Sequence, residues 1–193
     1  GSYTAKLRVT DSRGLASDPA SVTITAGNSP PTAVIDTPAP ARTWTVGDTI
    51  GFSGHAGDPQ DGTLPATGLS WSLILHHCAT ATDCHTHAVQ DFDGVASGSF
   101  SAPDHEYPAW IELRLTATDS GGLTDTASVR LDPQTVDLTF DSNPTGLQLT
   151  VGSGAATTPF TRTVIVGSRN TIAAPLTQAL NGTGYEFVSW SDG

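Results

Sequence analysis

Basic side chains are scarce in this sequence. Lys6 is the single lysine, and eight lysines and arginines face 19 aspartates and glutamates over 193 residues, a net charge of −11 with histidine neutral. A chain so acidic offers no basic stripe to a phosphate backbone or an anionic lipid surface, which argues against nucleic acid and membrane as partners. No apolar run approaches the roughly 18 residues of a membrane-spanning helix. Methionine is absent and aromatics make up 7%, so a core must come from valine, leucine and isoleucine in short runs. Enzyme fingerprints are missing too. There is no Gly-X-Ser-X-Gly elbow, no phosphate-cradling glycine loop and no dinucleotide motif. Nothing singles out a carboxylate pair for glycoside hydrolysis. The expectation is a module without catalytic residues of its own.

What the sequence does have is threonine, serine, glycine, alanine and proline around short alternating runs, the composition of many strands with turn-rich connections. The expected class is all-β. Residues 3–10 place Tyr3, Ala5, Leu7 and Val9 on one face of a strand, and residues 21–25 return. Later runs with the same character cover residues 32–35, 44–54, 70–75, 109–115, 136–140, 147–151, 162–166 and 185–190. Trp71, Ile50 and Phe52 are expected in the core.

Both cysteines and four of the six histidines fall within residues 73–87. Cys78 and Cys84 enclose five small or polar residues suited to a hairpin loop. If the cysteines face each other, antiparallel register puts His77 opposite His85 and Leu75 opposite His87. Period-2 alternation then gathers His77, His85 and His87 on one face and sends His76 and the disulfide to the other. Opposed Cβ atoms lie about 5 Å apart, close enough for three imidazoles to hold Zn²⁺ or Cu²⁺ with a position left open. Two other readings compete. One is a polar hairpin tip stapled by a disulfide, and the other is a thiolate-metal site. The spacing is not that of a zinc finger, and an oxidising compartment would join the thiols first. Paired cysteines in an acidic all-β chain predict secretion.

An internal repeat sets the domain layout. Residues 115–123 match residues 7–15, and residues 128–131 match 21–24 after one gap. A repeat of about 108 residues fits tandem sandwiches. In both copies Asp-Ser-X-Gly-Leu reads as a turn needing positive φ at Gly14 and Gly122, followed by an inward leucine. Residues 1–29 then read as the terminal hairpin of a truncated immunoglobulin-like domain plus a proline linker, with an edge that invites homodimerisation. Residues 30–133 form a complete sandwich, and residues 134–193 a small β-repeat unit.

Residues 3–24 and 31–131 resemble the polycystic-kidney-disease (PKD) type of immunoglobulin-like domain, on Pro31-Thr32-Ala33, Phe52-Ser53-Gly54, the loop 58–62 and residues 115–123. The Trp-Asp-Phe-Gly-Asp-Gly usual after the third strand is absent, and the histidine hairpin stands there instead. The ending at residues 187–193 resembles bacterial surface repeats. Together residues 31–193 resemble the C-terminal accessory region of secreted pyrroloquinoline-quinone-type sugar dehydrogenases. That resemblance implies an accessory or adhesion-type module that spaces domains or presents loops. Its partners would be the other domains of a secreted parent, a polysaccharide or a cell-surface protein.

Further candidates are weaker. Asp58, Asp61 and Asp119 are either a calcium site at a sandwich end or turn aspartates serving the backbone. Residues 104–106 (Asp104, His105, Glu106) are either a solvated turn or a cap over the histidine face. His55 reads as a lone surface residue. Trp44, Trp71, Trp110 and Trp190 read as core, with a sugar-stacking platform as the alternative.

Overall fold

The structure, a computed structural model, describes residues 1–78 and 83–191. Apart from a 3-10 turn at Ala66–Gly68, the regular structure among these residues is strand. In chain order the strands are β1 Ser2–Leu7, β2 Ala20–Thr25, β3 Thr32–Thr37, β4 Thr49–Asp58, β5 Gly62–Thr63, β6 Leu69–Cys78, β7 Cys84–Asp93, β8 Ser97–Ser101, β9 Ala109–Thr118, β10 Thr124–Leu131, β11 Thr135–Phe140, β12 Gln148–Val151, β13 Gly154–Thr157, β14 Phe160–Ile165, β15 Ile172–Ala173, β16 Thr177–Leu180 and β17 Thr183–Glu186. The expected all-β class is what folds. The strand expected over residues 185–190 stops at Glu186.

Two antiparallel sheets make the central sandwich. One runs β10-β9-β6-β7. The other centres on β4, with β3 along one edge and β5 and β8 along the opposite edge. Alternation explains the packing. Leu69, Trp71, Leu73 and Leu75 of β6 are buried, as are Ile111, Leu113, Leu115 and Ala117 of β9, and all join one core with Ile50, Phe52 and Ala56 of β4. Each fully buried large aliphatic or aromatic side chain is worth about 1.5–3 kcal/mol over its exposed state. The buried tryptophans also satisfy their polar edge: Trp44 Nε1 donates to the Leu131 carbonyl at 3.0 Å and Trp71 Nε1 to the Val95 carbonyl at 2.9 Å. Gly54 lets the layers close, since a Cβ there would sit 2.9 Å from both Leu115 Cδ2 and Trp71 Cη2 of the opposite sheet.

The phase that turns Ile111, Leu113 and Leu115 inward must turn Trp110, Glu112 and Arg114 outward. Trp110 is therefore half-buried on the outer face rather than in the core. His76 stacks on it at 3.6 Å with 9° between the planes, and the Arg130 guanidinium lies 4.4 Å from its ring. Glu112 accepts from His76 Nε2 at 2.9 Å and pairs with Arg114 Nη2 at 2.9 Å. Burial pushes the Glu112 carboxyl up, but the His76 and Arg114 hydrogen bonds outweigh it and hold it below the usual carboxylate range.

The repeat is structural as well as textual. Asp11 Oδ1 accepts from Leu15 N at 2.9 Å, and Asp119 Oδ1 from Leu123 N at 2.7 Å. Gly14 and Gly122 take φ of 85° and 86°, as the turn demands. The leucines that follow do not turn inward: Leu15 is 73% and Leu123 36% exposed. Leu123 lies in a hydrogen-bonded turn beyond the sandwich layers, whereas Leu15 belongs to a hairpin whose whole apolar face is exposed.

β1 pairs with β2 as a separate hairpin, and its apolar face is exposed. The C-terminal strands form three small sheets: β11 with β14, β13-β12-β15, and β16 with β17. They dock on the sandwich through backbone. Gln134 N–H donates to the Trp44 carbonyl at 2.7 Å and Val46 N–H to the Val166 carbonyl at 3.0 Å, while Ile165 enters the sandwich core.

Candidate metal centre

The register of β6 against β7 is the one that the cysteines imply. Cys78 opposes Cys84, His77 opposes His85 and Leu75 opposes His87. Cys78 and Cys84 are disulfide-bonded. Residues 79–82 of the expected loop lie outside the described residues. The inward stripe of β6 runs Trp71, Leu73, Leu75, then His77. The first three are buried and His77 is only partly so. The apolar stripe thus becomes an imidazole stripe where the sheet reaches the end of the core.

On β7 a bulge reconciles the phase of the histidines with that of the rest of the strand. Leu73 pairs with Gln90 but Ile74 pairs with Ala88, so one extra residue sits at Val89. A bulge shifts the side-chain phase by one. Before it, His85 and His87 face inward. After it, Gln90 and Phe92 do, and Phe92 reaches Phe52 at 4.9 Å between ring centres. Without the extra residue, the phase that turns both histidines inward would drive Asp91 and Asp93 into the core against Trp71.

The result is one tight group. Each of His77, His85 and His87 offers a ring nitrogen, and these three nitrogens lie within 4.8 Å of one another. The His77 and His85 ring centres are 5.0 Å apart and those of His85 and His87 4.7 Å, both edge to face. In a tetrahedral zinc site with Zn–N near 2.05 Å, ligand nitrogens sit about 3.4 Å apart, so side-chain rotation of under about 1 Å per ring closes the shell. Burial pushes the His77 imidazole below its ordinary range, and His105 and His85 add to this against an opposing pull from Glu106. A neutral imidazole is the form that binds metal.

Residues 104–106 flank this face without covering it, since Asp104, Glu106, His85 and His87 are all exposed. His77, His85 and His87 share an open depression of about 600 Å³ with Asp104, His105, Glu106 and Arg169. Arg169 came from no sequence signal. It arrives with the C-terminal unit, where its N–H donates to the Asp104 carboxylate at 3.2 and 3.3 Å. His76 sits on the opposite face with Trp110. His55 is exposed and pairs with Asp36 at 3.0 Å.

The aspartates set apart for calcium are not gathered in the same way. Among the described residues, the group of three or more metal-ligating side chains is the histidine trio. Asp58 Oδ1 accepts from Gln60 N and Asp61 N, both at 2.7 Å. Asp61 accepts from Ser120 N at 2.8 Å and Ser120 Oγ at 2.9 Å. Asp119 takes Leu123 N and the Asn28 side-chain amide. These carboxylates close turns and tie loops together.

No known protein family matches this chain, and no curated protein does. Among solved structures it is similar to the crystal structure of Spo0M, a sporulation control protein from Bacillus subtilis, at 11% identity and a TM-score of 0.36. The match covers 55% of this chain and 49% of that one, so the chain spans about half of that protein's length.

Proposed function

We propose that this protein is a metal-binding β module, with His77, His85 and His87 holding a divalent transition ion, Zn²⁺ or Cu²⁺. The observation that carries this reading is the convergence of three ring nitrogens within 4.8 Å on one face of a hairpin. Three neutral imidazoles suit borderline cations, and Cu²⁺ binds such a set more tightly than Zn²⁺. The disulfide pins the register that makes His77 and His85 neighbours. A disulfide also fits an extracellular setting. Among the described residues no helix is long and apolar enough to cross a membrane. In that setting the sandwich serves as a non-catalytic accessory scaffold of a larger secreted protein, spacing domains and presenting the hairpin.

Calorimetric titration of tag-free, chelator-stripped protein with each ion tests this. One equivalent should bind, and His85→Ala should weaken binding by at least about 100-fold, since even outer-shell changes cost 10–100-fold. Absence of binding to the parent protein sinks the reading.

A second observation favours carbohydrate contact elsewhere. In the C-terminal unit, Tyr185, Phe187 and Trp190 line a depression of about 560 Å³ together with Asp141, Gln178 and Glu186. Trp190 is 37% exposed. Apolar faces with a few fixed polar groups suit a small ligand. Retardation of the protein in polysaccharide-containing gels, lost in Trp190→Ala, would support this reading. Equal mobility with and without polysaccharide would end it.

A further inference from the structure

We propose that His105 is a fourth ligand of the histidine site, so that the bound ion sits in a closed four-imidazole shell and joins the segment before β9 to the β6–β7 hairpin. This rests on the metal reading above and sharpens it, because a closed shell is a structural site and an open one leaves a position for solvent or substrate.

Three observations carry it. The first is position. The His105 ring centre lies 4.6 Å from that of His77 and 5.6 Å from that of His87, and it comes from a segment outside the hairpin. The second is tautomer. His105 Nδ1 lies 3.0 Å from the Glu106 carbonyl oxygen. A carbonyl only accepts, so Nδ1 carries the proton and Nε2 keeps its lone pair in the neutral ring. Metal-bound imidazoles commonly show this arrangement, the far nitrogen donating to a carbonyl or carboxylate and fixing the ring.

The third is anchorage. Cys78 N–H donates to the Pro108 carbonyl at 3.0 Å, which ties this segment to the end of β6. Asp104 accepts from Arg169 N–H. Glu106 packs so closely on Gly152 that a Cβ there would lie 2.7 Å from Glu106 Oε1. The ring is thus held from behind by contacts that need no metal. Asp104 and Glu106, less the Arg169 cation in the same depression, leave one net negative charge beside the site, which partly offsets a dication that four neutral imidazoles leave uncompensated.

X-ray absorption on the zinc-loaded protein counts the imidazoles. The proposal expects four in the parent and three in His105→Ala. Zinc affinity should drop by at least about 100-fold in that variant, as for any direct ligand, because outer-shell changes alone cost about 10–100-fold. The metal-free variant should keep the parent's urea midpoint, and His105→Gln provides a second variant that preserves the ring's bulk and a hydrogen-bond donor. Three imidazoles in the parent, with unchanged affinity in both variants, would overturn the proposal while leaving the trio intact. No zinc uptake by the parent would remove the trio and this inference together.

Discussion

Gly54 and Gly51 stand three residues apart on β4, and the structure assigns alanine opposite effects at the two positions. Neither has a positive φ. At Gly54 a Cβ would meet the Val34 carbonyl oxygen at 2.6 Å and the Leu115 Cδ2 and Trp71 Cη2 atoms at 2.9 Å each. One obstacle is backbone of the paired strand β3. The other two are side chains with no exposed surface, so none can swing aside. Forcing a methyl into such a core costs about 1–3 kcal/mol. At Gly51 the nearest atom to a new Cβ is the Gly98 carbonyl oxygen at 3.9 Å, an ordinary contact. There alanine restricts the unfolded chain and should stabilise by about 0.4–1 kcal/mol. The two variants should therefore differ by about 1.5–4 kcal/mol in stability. Urea unfolding followed by tryptophan fluorescence reads this directly, because Trp44 and Trp71 are buried in the sandwich. Equal midpoints for the two variants, or a Gly54→Ala protein as stable as the parent, would refute the proposed closure of the layers over Gly54.

Other consequences follow from the same geometry. His77 is held below its ordinary range, so the unfolded chain takes up this proton first as pH falls below about 6.5. Metal-free stability should decline in that window, and His77→Gln should flatten the decline; an unchanged pH slope would argue against it. Glu112→Ala removes the acceptor of His76 and Arg114, and at pH 7 should cost about 1–3 kcal/mol. The parent's share of that stability is present above the ordinary glutamate range and should fade as pH drops through the lower folded value, which acid titration of both proteins checks. Replacing Cys78 and Cys84 together by serine should cost about 2 kcal/mol in the chain-entropy picture of so short a loop. The same variant should lose zinc affinity in calorimetry, whereas equal affinity would mean the register holds unaided.

The hairpin was readable because its register hangs on two residues. Once Cys78 faces Cys84, parity alone places His77, His85 and His87 together and His76 apart. The bulge at Val89 was not readable. Nothing in Ala88-Val89-Gln90 marks an extra residue by glycine or proline. Its signature is only that the phase suiting the histidines disagrees with the phase suiting Phe92. Trp110 carried a readable signal that bulk obscured: it shares a face with Glu112 and Arg114, and a strand flanked by Ile111 and Leu113 cannot bury both sets. His105 appeared as a polar knot whose place beside the histidines depends on where the chain returns to start β9. Arg169 had no signal at all, because its approach depends on how the C-terminal unit docks. Leu123 misled because its hydrogen-bonded turn lies outside the layers, and Leu15 because the β1–β2 hairpin stands apart with its apolar face exposed.

Anomalous diffraction from crystals of tag-free protein grown with zinc, recorded on both sides of the zinc absorption edge, tests the central claim most directly. One strong peak is expected, about 2.0–2.1 Å from ring nitrogens of His77, His85 and His87. A difference map with no peak on that face, in crystals whose hairpin register is the one described, would contradict it.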